Sequence, residues 1–464
     1  MMKKINLSKI IFGSLFGILI LLLTASAVFA EIENPDLTGA TAFVNQIADA
    51  KNGDTILLES DVALSAGVLE IKKNLTIDLN GHTIRAVDQT GDLSYLITHT
   101  KGTLTICNGR ILSEISGGIT ASKGTLNLNN VEITTLRRAL NLSGRAHCNV
   151  DADCVLTTTG SEKSADTCVK LIAKYNGLDW GERVWFDCAG VVQNSNPANK
   201  QPAIGGNTAD VGIVHVTLED GAKVISNGTA VFLPQRCTLD VYGAEINGQS
   251  GIECREGSVT IYEGAVIAAD ATCTIVDDED DEDGVTIKSL YDLTALNAPA
   301  CKSCALVMAQ QIGGEPLNVT INGGSFSGTL ALCSINLEAR ADTGVNQPET
   351  TVRITAGYFV GGICNKGKAL KRSVTGGCFK KKPSSYFDGW QVMIQDNDTG
   401  LYYVADTAKA FLKTDTAVGH RIELLQTSDF NDVVPGVTLI NRNDWDVKIN
   451  QTQTISNGRE ITVE

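Results

Sequence analysis

Tyr242 and Tyr262 occupy matching places in two related phrases, Val241-Tyr242-Gly243-Ala244 and Ile261-Tyr262-Glu263-Gly264-Ala265. Each ends an alternating apolar run and stands at a small-residue corner. If both rings face outward they form a two-rung aromatic strip, and flat aromatic faces stack on sugar rings. Trp180, Trp185 or Trp390 could extend the strip. The plainer reading is a pair of half-buried surface tyrosines.

Carboxylates are the second group that could do chemistry. Asp78, Glu219, Asp240, Glu245 and Glu263 alternate with apolar neighbours, so they face outward on strands. Carboxylates holding calcium beside an Arg or Lys base could remove a proton next to a uronate. No three of these acids fall on successive repeats in register with an Arg, and Glu219 aligns with Asp240 only loosely. Solvent-facing strand positions account for them, and no catalytic residue is assigned. The five histidines, His82, His99, His147, His215 and His420, show no zinc spacing, and His82 reads as a turn residue. The acidic run from Asp277 to Asp283 reads as a solvated loop, with a weak calcium site as its alternative. It lacks the alternating ligands and central glycine of an EF-hand loop. No other metal or cofactor is indicated.

The chain has 13 cysteines, an odd number, so at least one is not paired within the chain. Cys168 and Cys188, and likewise Cys254 and Cys273, are separated by about one repeat, which would put their sulfurs on neighbouring coils and permit disulfides between them. Cys301-Lys302-Ser303-Cys304 lacks the βαβ context of a redox motif and offers only two of a zinc ion's four ligands. A structural disulfide or a loop thiol pair is the reading for it.

These residues sit in a repeat of about 22 residues, and one strand-and-turn unit of that length implies a solenoid. The phrase appears as Ile77-Asp78-Leu79-Asn80-Gly81, Leu126-Asn127-Leu128-Asn129-Asn130 and Leu218-Glu219-Asp220-Gly221-Ala222. Gly81, Gly109, Asn130 and Asp153, then Gly221, Gly243 and Gly264, mark corners that call for a positive φ. A later form places Phe326, Phe359 and Phe379 two residues after Gly324, Gly357 and Gly377, so the three rings should stack inside the coils. A short helix over 42–50 and a strand over 55–58 would close the open end. A hairpin turns near Asp398-Thr399-Gly400. The expected fold is all-β, a solenoid of about 20–23 residues per coil with a short N-terminal capping helix. The segments are 1–30, 31–60 as the cap, 61–380 as coils, 381–405 as a closing hairpin, and 406–464 as a β-rich tail or the start of a second unit.

Residues 1–30 carry Lys3, Lys4 and Lys9, an apolar stretch from Ile10 to Leu23, and Val28-Phe29-Ala30 before Glu31. This is the layout of a secretory signal peptide, with an uncleaved membrane anchor as the alternative, and it predicts a secreted or cell-surface protein that meets the membrane only through that segment if it stays uncleaved. The net charge of −15 disfavours a nucleic-acid partner.

Gly53-Asp54-Thr55-Ile56, followed by Leu75-Thr76-Ile77-Asp78-Leu79-Asn80-Gly81-His82-Thr83-Ile84, resembles the entry coils of pectate-lyase-like right-handed parallel β-helix proteins. The version is that of surface or secreted proteins of anaerobic, mostly Gram-positive bacteria. The Gly-Gly-x-Phe coils and the segment from Asp388-Gly389-Trp390 to Tyr403 are similar too, so the resemblance covers about residues 40–405. It implies a right-handed parallel β-helix outside the cytoplasm. The function expected is a non-catalytic scaffold for adhesion or for contact with an extracellular glycan or matrix polymer. The alternative is a polysaccharide lyase or glycoside hydrolase working along one face.

Overall fold

A computed structural model describes residues 37–464 except 68, 90–93, 162, 175–180, 208–211, 271–291, 293, 296–297, 312–314, 338–348, 384–391 and 427–428. The expected signal segment, the acidic run, Cys273, Trp180, Trp390 and Asp388-Gly389 lie outside the described residues.

The structure is mostly β, and one large sheet system of chiefly parallel strands dominates it. Its strands form three ladders. The first runs through Leu75, Leu104, Leu126, Cys148, Phe186, Val216, Leu239, Val259, Val319 and Val352, each the lateral partner of the next. The second runs through Val62, Ile84, Ile111, Ile133, Leu156, Val192, Val224, Ile246, Ile267, Phe326, Phe359 and Phe379. The third runs through Leu69, Ile97, Ile119, Leu140, Val169, Ile204, Val231, Ile252, Leu306, Leu332 and Ile363. The chain visits the three ladders in turn, and a long strand such as Gly117–Thr135 passes through all three.

The core follows from strand alternation. Successive side chains point to opposite faces, and the inward set is Ile, Val and Leu. These columns are buried almost without exception. Burying each such side chain contributes about 1.5–3 kcal/mol. In the second ladder the filling changes from Ile and Val to Phe at residue 326. The Phe326 and Phe359 rings stack at 4.9 Å and the Phe359 and Phe379 rings at 4.6 Å, as the Gly-x-Phe spacing predicts.

Corners after the first ladder use asparagine. Asn80, Asn108 and Asn130 have φ of 49°, 58° and 53°, a region Asn tolerates better than other residues with a Cβ. Asn130 donates to Asn108 Oδ1 at 3.3 Å, and Asn108 donates to Asp78 Oδ1 at 3.1 Å. Asp153, expected at positive φ, is not there, and neither are Gly109 and Gly243. They are glycine because of close packing: a Cβ on Gly109 would stand 2.4 Å from Leu79 Cβ, and one on Gly243 would stand 2.0 Å from Asp220 Oδ1.

Helix α1, Leu37–Asp49, starts and ends earlier than expected and places Phe43 and Ile47 against the core. The first strand is Asp54–Leu57. At the other end Met393–Asp396 and Leu401–Val404 pair antiparallel across a turn at residues 397–400. Helix α2, Ala405–Phe411, follows. Arg421–Gln426 then pairs parallel with Thr438–Asn441, the relation that Asp54–Leu57 has with Leu75–Asp78. Ile394, Leu412, Leu424, Leu439 and Ile449 give this end its own apolar cluster.

Candidate functional site

The outer face of the first ladder gathers the most chemistry. Alternation turns His147, Trp185 and His215 outward, because Cys148, Phe186 and Val216 beside them point in. The three are lateral partners on neighbouring strands. Trp185 and His215 are stacked with ring centroids 5.2 Å apart and planes 9° from parallel, while His147 is tilted against Trp185 at 6.2 Å. Two residues further along the strand Asp187 also faces out, and His147 Nε2 donates to its Oδ2 at 2.7 Å.

Two residues before the ring column stands a column of cations. Lys123 is the lateral partner of Arg145. Arg145, Gly181, Arg183 and Trp185 line an open groove of about 410 Å³. Lys101 and Arg236 hold the same offset from Thr103 and Thr238, which lie in the ring column. No described carboxylate lies in ion-pair contact with any of these five cations. Lys101, Lys123, Arg145 and Arg183 concentrate positive charge on a chain of net charge −15, while Arg236 has Glu256 as its lateral partner.

His215 remains a neutral imidazole at neutral pH. Burial, and then the charge of Arg183, push its pKa down. Its Nε2 is buried without a hydrogen-bond partner. A ladder of polar groups continues the face: Asn149 donates to Asn127 Oδ1 at 2.7 Å, and Asn127 donates to Thr105 Oγ1 at 3.3 Å.

Tyr242 and Tyr262 lie at the far edge of the same face, one residue beyond Val241 and Ile261. Their rings stack at 4.4 Å and 10°. Each therefore covers one face of the other, leaving a ring edge and the outer faces to solvent. Tyr242 is 38% exposed, and the hydrogen bond to Tyr262 is the main reason its phenol titrates higher than usual. Trp185 shares the face but sits near the strand's start, so it does not extend the tyrosine strip.

The other residues singled out in the sequence do not converge. Asp78 serves the corner, accepting from the Asn80 amide at 2.9 Å and from Asn108. Glu245 pairs with Lys223 at 3.4 Å. Asp240 is the partner of Thr217, so Glu219 falls level with Tyr242 and not with Asp240. Asp187 and Asp240 flank Thr217 on either side, which puts their backbones roughly 9–10 Å apart.

The expected cysteine pairings need correction at Cys168 and Cys188. Both are buried free thiols on different ladders, Cys168 leading into the third and Cys188 ending a strand of the first. A spacing of one repeat puts two residues on one column only where successive turns have equal length, and here Leu171 and Trp185 are 14 apart where their partners Leu142 and His147 are 5 apart. Burial pushes both thiols up to about 12. Cys254 is also a buried free thiol and has Cys237 as its hydrogen-bonding neighbour.

Asp396, Asp398 and His420 form an acidic and imidazole cluster at the closing hairpin. Asp396 is fully buried. It accepts from Thr399 Oγ1 at 2.7 Å, the Asp398 amide at 3.0 Å and His420 Nδ1 at 3.0 Å, which is the role of a turn-closing aspartate.

Sequence reasoning missed the His147, Trp185 and His215 column. The signal was present in Val184-Trp185-Phe186-Asp187-Cys188 and Val214-His215-Val216-Thr217-Leu218, where alternation alone turns Trp and His outward. No family model matches the chain, and no curated protein or solved structure matches it.

Proposed function

We propose that this chain is an exported right-handed parallel β-helix scaffold that contacts an acidic glycan along the outer face of its first ladder. The observation that carries the reading is Trp185, stacked on His215 and sharing a groove with Arg145 and Arg183. The outward edge of the indole, held between His147 and His215, offers apolar contact to a sugar, and guanidinium groups suit the carboxylate of a uronate or the ester of a sulfated sugar. Long flat faces on stacked strands suit an extended polymer better than a small molecule.

The enzymatic alternative draws on the His147–Asp187 hydrogen bond of 2.7 Å close to Arg183, a base-and-orienter arrangement. One experiment separates the two. Purified protein is run by affinity electrophoresis through gels containing neutral, uronate-bearing or sulfated polysaccharides, and the same polymers are assayed for unsaturated or reducing ends. Retardation by acidic polymers without new ends supports the scaffold. Release of ends supports the enzyme. No retardation by any acidic polymer at low salt overturns the glycan reading.

A further inference from the structure

Four cysteines meet on the outer side of the third ladder. Cys333 lies between Val307 and Cys364 as lateral partners, Cys304 begins the neighbouring strand Cys304–Gln310, and Cys301 comes from the segment that folds over them. All four are buried, with exposures of 2%, 0%, 0% and 1% for Cys301, Cys304, Cys333 and Cys364. Cys301 Sγ stands 3.5 Å from Cys333 Sγ. Cys304 and Cys364 belong to the same buried cluster.

We propose that Cys301 and Cys333 form a disulfide that fastens the segment around 292–301 to the third ladder, with Cys304 and Cys364 left as thiols. Of the candidate partners of Cys333, Cys301 is the one delivered by a loop, so a small rotation can bring its sulfur from 3.5 Å to the bonded distance of about 2.05 Å. Cys364 sits beside Cys333 on a neighbouring parallel strand. Strand spacing of about 4.8 Å holds such side chains wider apart than the roughly 3.8 Å between Cβ atoms that a disulfide prefers. Cys304 is held in its strand opposite Leu330. A tetrahedral zinc site would need four sulfurs all about 3.8 Å from one another. Here the four do not form a cluster of mutually close ligand atoms.

In the step, the two thiols lose two protons and two electrons as the Sγ–Sγ bond forms. The electrons reduce the disulfide of an oxidant, a protein dithiol oxidase in the exporting cell or oxidised glutathione in a refolding buffer, to two thiols. Burial of all four sulfurs means that the bond is made while the covering loop is still open and is then shielded from reductants. In the cell, but not in the refolding buffer, the step depends on export.

The test is non-reducing peptide mapping after alkylation under denaturing conditions. It is done once on protein from the producing cell's extracytoplasmic fraction and once on reduced protein refolded in a glutathione buffer. The expected result is a peptide containing Cys301 joined to one containing Cys333 in both samples, with Cys304 and Cys364 alkylated. The link present after refolding but absent from the cell sample upholds the pairing and overturns export. Cys301 and Cys333 both alkylated after refolding, Cys333 joined elsewhere, or one zinc ion retained in native mass spectra overturns the pairing. Cys301→Ser should abolish the link while the far-ultraviolet circular dichroism stays unchanged.

Discussion

Trp185 and His215 come from strands separated by an excursion of the chain, yet their rings lie 5.2 Å apart and within 9° of parallel. The scaffold holds them there, because their neighbours Phe186 and Val216 are paired and fully buried. The outer face of this rigid stack is available to a ligand at little ordering cost. Trp185→Ala is expected to weaken retardation by acidic polysaccharide about tenfold, which corresponds to about 1.4 kcal/mol. Because the indole faces outward, its urea midpoint should stay close to that of the parent. Affinity electrophoresis paired with urea unfolding checks both. Equal retardation of parent and variant would remove Trp185 from the site.

Arg145 and Arg183 should act through charge. Arg145→Ala combined with Arg183→Ala is expected to abolish retardation by uronate-bearing gels, and the parent's own retardation should fall as salt is raised, since groove charges are screened at a Debye length near 8 Å. A parent retardation indifferent to salt would show that cations do not carry the contact.

Two histidines, one buried and one half-buried, link stability to pH. His99 is fully buried, and burial lowers its pKa; His215 is lowered by burial and by Arg183. A folded-state pKa below the unfolded value of about 6.5 means that the unfolded chain binds more protons in that window. Stability is therefore full above that value and declines as pH falls through it toward the folded pKa. His99→Gln and His215→Gln should each flatten the slope of urea midpoint against pH on the acidic side of neutrality. An unchanged slope in both variants would refute the linkage.

Local patterns were legible in the sequence, and long excursions were not. Phe326, Phe359 and Phe379 follow identical Gly-x-Phe phrases, so the stack could be read directly. Tyr242 and Tyr262 stand one residue beyond the laterally paired Val241 and Ile261, 20 residues apart, so their adjacency could be read too. His147 and Asp187 are 40 residues apart, and between them Leu171 and Trp185 are 14 apart where their partners Leu142 and His147 are 5 apart. Counting repeats cannot bridge such an interval, because an excursion changes the spacing without changing the register of the strands it joins. Cys301 and Cys333, 32 apart, are hidden for the same reason.

The phenylalanine stack should be most sensitive at its centre. Phe359 contacts a ring on each side, while Phe379 contacts one of the three. Phe359→Ala is expected to cost about 3–5 kcal/mol through lost burial and the cavity left behind. Phe379→Ala should cost about 0.5–1.5 kcal/mol less, the worth of one aromatic pair. Urea unfolding of the two variants measures the difference, and equal losses would show that stacking adds nothing beyond burial.

Glu253 and Arg255 form an ion pair with no exposure on either side chain. Arg255 donates to Glu253 Oε1 from Nε at 3.1 Å and from a terminal nitrogen at 2.9 Å. It also donates to the carbonyls of Ala295 and Ala298 at 2.8 and 2.7 Å. Glu253 Oε2 accepts from the Ala300 amide at 2.7 Å, and the guanidinium lies 5.0 Å above the Phe232 ring. The pair thus spends most of its hydrogen bonds on the segment that covers the third ladder. Removing one partner leaves a buried charge unmet, so Glu253→Ala should cost about 3–5 kcal/mol. It should also free the covering segment, exposing the bond after Lys302 to trypsin faster than in the parent under reducing conditions. The double change Glu253→Leu with Arg255→Met leaves no charge to bury and should recover much of the stability. It cannot restore the bonds to Ala295, Ala298 and Ala300, so trypsin cleavage should remain fast. Recovery of both stability and protection would show that apolar packing alone holds the segment down, and that the ion pair is not its anchor.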